Sequence, residues 1–69
     1  MNNEDDEGET RFTLDGIQYV AHWFVANNMM TVHVDGFERH KENQVNGMDH
    51  DLLAKDMGRA IIRATQNPA

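Results

Sequence analysis

The stretch from Ile17 to Val34, read as IQYVAHWFVANNMMTVHV, constrains the fold more than any other. It is the longest apolar, β-branched and aromatic run in the chain, and such residues fit the pleated, half-buried surface of a strand. It breaks once, at Asn27-Asn28. Asparagine tolerates the left-handed backbone region better than other non-glycine residues, so this pair suits a tight turn between two antiparallel strands. Just upstream, Phe12 and Leu14 alternate with polar residues and run into Asp15-Gly16. That dipeptide meets the demand of a type I′ hairpin for positive φ at both central residues.

Two turns imply two registers. The first pairs Leu14 with Ile17 and Phe12 with Tyr19. The second pairs Ala26 with Met29, Val25 with Met30, Trp23 with Val32 and Ala21 with Val34. The registers are mutually consistent. One sheet face collects Phe12, Leu14, Ile17, Tyr19, Ala21, Trp23, Val25, Met30, Val32 and Val34. The other collects Arg11, Thr13, Gln18, Val20, His22, Phe24, Ala26, Met29, Thr31 and His33. A slip of one residue in either hairpin would mix the two sets, so the apolar face fixes the register. The first face is the expected core.

Asp35-Gly36 offers a third two-residue turn, leading into the polar segment Phe37 to Val45. A strict hairpin there puts Glu38 opposite His33 and His40 opposite Thr31. It also puts Arg39 and Lys41 on the core face, which suits an edge strand better than a central one. A short edge strand within Phe37 to Gln44 is expected. After the turn at Asn46-Gly47, Asp49 reads as a helix N-cap, with Met48 and Leu53 placed as a hydrophobic staple. The helix should run from His50 to about Thr65 with Leu53, Met57, Ala60, Ile61 and Ala64 on its apolar face. Ile62 is expected to point away from that face.

The fold class is therefore α+β: an antiparallel meander of three or four strands with one C-terminal helix across one face. Residues 10–66 form the single domain, 67–69 a frayed end, and 1–9 a disordered acidic tail that has no apolar anchor to offset its ordering entropy. That tail explains the charge. It holds five of the twelve acids, leaving seven against six Lys and Arg, so the formal net charge of −6 falls to about −1 over residues 10–69. A domain with a broad basic face for nucleic acid is not indicated. There is no signal-peptide pattern and no apolar run long enough for a membrane span, so a cytoplasmic protein is expected.

The order of features resembles a family of short, uncharacterised proteobacterial proteins. The residues that carry the resemblance are Tyr19 to Phe24, Asn27-Asn28, Met29 to Val34, Lys41 to Gln44, Asn46-Gly47 and Leu52 to Ile62. It spans about Phe12 to Arg63, and it departs at the tight turn, where glycines would be expected. It implies a small sheet with one helix and no particular activity.

The chain has neither Cys nor Ser, which removes the two commonest nucleophiles, disulfides and thiolate zinc sites. There is no nucleotide-binding glycine loop, and no cofactor is expected. His22 and His33 form a cross-strand pair on the second face, with His40 and Glu38 placed nearby. Imidazole and carboxylate together suit Zn²⁺, which makes His22, His33 and His40 the candidate metal ligands, although no ligand-spacing motif is present. Lys55, Arg59 and Arg63 form a stripe that Asp51 and Asp56 partly neutralise. Phe24, with Val20, Ala26 and Met29, makes an apolar patch on the second face, the expected mark of an interface. Ile62 is a further interface candidate. The residues point to a non-enzymatic binding or regulatory module that acts through protein contacts, as a homodimer with a further protein partner. The alternatives are a nucleic-acid-associated accessory protein and a His-based metal site.

Overall fold

Asp15, Gly16, Asn27 and Asn28 all adopt positive φ, at 53°, 80°, 55° and 63°. Both tight turns therefore form with the left-handed backbone that matches strand twist. The computed structural model describes residues 6–66. Four strands, β1 (Asp6–Leu14), β2 (Ile17–Ala26), β3 (Met29–Val34) and β4 (His40–Gln44), form one sheet in sequential order, followed by helix α1 (His50–Gln66). Each neighbouring pair of strands is antiparallel. The architecture is the α+β meander expected, with four strands.

The first two registers agree with the sequence reading at every pair named above. β1 starts earlier than expected. Asp6 to Glu9 were assigned to a disordered tail, yet they pair with Val25 to His22. Ladder hydrogen bonds do not require apolar side chains. Here Glu7 and Glu9 alternate outward and stay exposed, while Gly8 leaves room for the indole of Trp23. A Cβ on Gly8 would lie 2.5 Å from Trp23 Cζ2. The tail's remaining residues, 1–5, and the frayed end, 67–69, lie outside the described residues.

The third turn behaves differently. Phe37 N–H donates to Val34 C=O at 3.0 Å, so Asp35-Gly36 does reverse the chain. Only Gly36 takes positive φ, at 89°; Asp35 does not. The strands therefore do not pair directly after the turn. Phe37 instead packs edge-on to Tyr19, with ring centroids 5.9 Å apart. The pairing resumes two residues later, with His33 opposite His40 and Thr31 opposite Glu42. The expected pairs Glu38–His33 and His40–Thr31 do not form. A shift of two keeps every side chain on its expected face. Lys41 lies opposite Val32, and β4 is exposed throughout, as an edge strand can be.

Helix α1 begins as expected. Leu52 N–H donates to Asp49 Oδ2 at 3.1 Å, the bond of an N-cap. Its buried residues are Leu53, Ala54, Met57, Gly58, Ile61 and Ile62. Ile62 was expected on the outside, and it is fully buried. The cause is Gly58: with no side chain, it brings the helix close to the Phe12 ring, where a Cβ would lie 2.8 Å from two ring carbons. The helix is thereby turned so that Ala54, Gly58 and Ile62 face the sheet, and Ala60 and Ala64 are only half-buried. Met30, Val32, Val34, Ile61 and Ile62 form the most enclosed part of the core. Ile17, expected in the core, is 54% exposed. It is the first residue after the Asp15-Gly16 turn, at the end of the sheet.

Candidate functional site

The helix covers one sheet face and leaves the other open, and the open face is built of rows that cross all four strands. One row runs Glu9, His22, His33, His40, each opposite the next. The row beside it runs Glu7, Phe24, Thr31, Glu42. These side chains share one face because residues opposed across a ladder point to the same side and the two rows lie two residues apart on every strand. Only Thr31 in these two rows is buried.

The histidines are not equivalent. His22 Nε2–H donates to Asp35 Oδ1 at 2.8 Å. That bond ties β2 to the third turn and occupies one ring nitrogen. His33 and His40 stack, with ring centroids 5.4 Å apart and an interplanar angle of 29°. The shifted β4 register therefore gathers His22, His33 and His40 more tightly than the sequence reading implied, and removes Glu38 from them. Among the described residues, no three His, Asp or Glu side chains converge on a common point able to hold a metal ion.

Phe24 is 46% exposed and Met29 37% exposed. Ala26 follows Phe24 on the same face of β2 and lies opposite Met29, so these three are contiguous. Val20 is half-buried on the same face, but His22 stands between it and Phe24. The patch is thus Phe24, Ala26 and Met29, with Val20 apart from it. Ile62, the fourth interface candidate, belongs to the core and takes no part. An open recess of about 540 Å³ lies between the two rows, bordered by Glu7, Glu9, His22, Phe24 and His33.

On the covered face a polar network locks the helix to β1 and β2. Trp23 Nε1–H donates to Thr10 Oγ1 at 3.1 Å, and the Thr10 hydroxyl donates to Asp51 Oδ1 at 2.6 Å. Lys55 Nζ lies 3.2 Å from Asp51 Oδ2. The Thr10 hydrogen bond, and then Lys55, hold the Asp51 carboxyl below the usual carboxylate range. His50 meets the indole edge-on, with centroids 5.3 Å apart. Sequence reasoning missed Thr10 and Asp51 as partners. The one available signal was the alternation from Leu14 through Phe12, which puts Thr10 on the core face opposite Ala21.

Each cation of the helix stripe has a local neighbour or a packing role. Lys55 pairs with Asp51, and Arg59 lies 3.7 Å from Asp56 and over the Phe12 ring at 5.7 Å. Arg63 stands in the last turn, where a cation complements the helix dipole. No described helix is long and apolar enough to cross a membrane. Compared with known protein families, with curated proteins and with solved structures, the chain matches none.

Proposed function

We propose that this chain is a non-enzymatic, cytoplasmic protein-binding module of bacterial origin. It acts as a homodimer and takes its partner protein on the open sheet face. The observation that supports this reading is Phe24. A phenylalanine nearly half exposed at the middle of a sheet face, continuous with Met29 and Ala26, is an anchor of the kind that interfaces bury. Glu7 and Glu42 stand in its own row. The partner of fitting chemistry offers an apolar pocket for Phe24 bordered by basic groups. The carboxylates would then steer the encounter and fix its orientation, while the aromatic ring supplies most of the affinity.

The test is affinity capture from native lysate with the full chain and with Phe24→Glu, each at matched concentration. A specific protein retained by the parent and lost by the variant is the expected result. Identical capture profiles for the two chains would overturn the assignment of the face. Folding of the variant is checked by its far-ultraviolet spectrum and melting point.

A further inference from the structure

We infer that the exposed edge of β1 pairs with β1 of a second copy, antiparallel and centred on Thr10, to give one continuous eight-stranded sheet. This rests on the homodimer reading above and names its interface.

The first support is the direction of the backbone groups. The Asp15-Gly16 turn closes on Leu14 and Ile17, and in a two-residue hairpin the closing pair is hydrogen-bonded. Even-numbered residues of β1 therefore aim N–H and C=O at β2, and odd-numbered ones aim theirs at the free edge. Glu7, Glu9, Arg11 and Thr13 carry that outward row. Among the described residues, no backbone hydrogen bond outside the β1–β2 ladder reaches it.

The second support is self-complementarity. β1 runs from Asp6 to Leu14, so Thr10 is its midpoint and a two-fold axis there overlaps the whole strand. A residue then meets the one whose number completes twenty. Glu9 faces Arg11 of the other copy, and Arg11 faces Glu9, giving two opposite-charge pairs across the same face. Phe12 falls opposite Gly8, over which that copy's own Trp23 indole lies. The neighbouring even registers put a like-charge pair on the axis, either Glu9 against Glu9, flanked by two Glu7–Arg11 pairs, or Arg11 against Arg11; the centred register has no like-charge pair. The charge pattern therefore selects the centred pairing, and like a two-fold interface generally it uses one patch twice.

The other edge lacks this property. Centring β4 on its midpoint sets Glu42 against Glu42, a like-charge pair, and the strand also carries Lys41, an edge lysine of the kind that guards against strand addition. One edge of the sheet is thus open to a second copy and the other is guarded. Pairing at β1 leaves both helices on the same side and joins the two open faces into one surface.

The experiment is sedimentation equilibrium of the full chain over a concentration series at low and high salt. The parent should dimerise. Arg11→Glu sets two like-charge pairs across the axis and should raise the dimer Kd about tenfold at low salt. The double variant Glu9→Arg, Arg11→Glu restores the pairs and should return the parent Kd. Thr13→Pro deletes an outward N–H that no described residue of the chain uses, and should weaken dimerisation while the far-ultraviolet spectrum stays unchanged. A chain that is monomeric at every concentration overturns both the homodimer reading and this interface. A dimer indifferent to Arg11→Glu and Thr13→Pro but dispersed by Phe24→Glu overturns this interface alone and places self-association on the open face. Loss of partner capture with an intact dimer overturns neither edge nor register and supports the separation of the two surfaces.

Discussion

The two faces of the sheet use similar residue types for opposite purposes. The covered face carries Trp23 with both its indole nitrogen and its ring engaged; the open face carries Phe24, the next residue, with half its surface in water. Adjacent aromatics on one strand are separated by the pleat into a folding role and a surface role. On the covered face, polar groups such as Thr10 are buried and fully partnered. On the open face the imidazoles and carboxylates are exposed; His22 is tied down by Asp35, and His33 and His40 rest on each other. One side is committed to cohesion, and the other is spared from it.

If that division holds, substitutions should sort by face. Ile62→Ala removes a side chain with no exposure and should cost about 2–5 kcal/mol in denaturant unfolding, the range for buried large-to-small changes. A cost like that of a surface residue would return Ile62 to the outer helix face. Gly58→Ala puts a methyl against the Phe12 ring and should destabilise by about 1–3 kcal/mol, an overpacking cost that exceeds the gain in helix propensity. A more stable protein would show that the helix can shift away at little cost.

Thr10→Val leaves Trp23 Nε1 without its acceptor and Asp51 without its donor, and should lower stability by about 1 kcal/mol. It should also change the pH dependence. Asp51 has a lowered pKa in the fold, so its unfolded state binds a proton more readily than its folded state. Its contribution is present above the unfolded pKa and fades as pH falls through the folded one. Melting points measured down the acid side should therefore fall less steeply in Thr10→Val than in the parent, and parallel curves would remove Asp51 from the network. The smallest effect belongs to the open face. Phe24→Ser should leave stability within about 0.5 kcal/mol while abolishing partner capture. A large loss of stability there would break the comparison, because it would make Phe24 part of the core.

The legible part of this fold was the part governed by local chemistry. Asn27-Asn28 and Asp15-Gly16 take left-handed conformations that any chain with those residues can take, and two registers follow from them. Asp35-Gly36 is the same dipeptide as the first turn, yet Asp35 keeps ordinary φ and Phe37 goes to Tyr19. That outcome depends on a tertiary contact, and no local pattern encodes it. The stacked His33 and His40 follow from the same shift, so the open face was legible in membership but not in arrangement. Ile62 was misplaced for a similar reason. Helical periodicity identifies an apolar stripe, whereas the rotation of that stripe is decided by how closely Gly58 approaches Phe12. Asp6 to Glu9 entered the sheet because β2 is long enough to supply backbone partners for them, a fact that composition does not carry.

The position of Trp23 has an optical consequence. It is the only tryptophan in the chain. Its indole lies across Gly8 of the first strand, donates to Thr10, and meets His50 at the start of the helix. Indole emission shifts to longer wavelength when the ring becomes hydrated. Its colour in this protein therefore reports the joint seating of β1 and the helix's first turn around the ring. The fold carries its own spectroscopic gauge at the junction where its two layers meet.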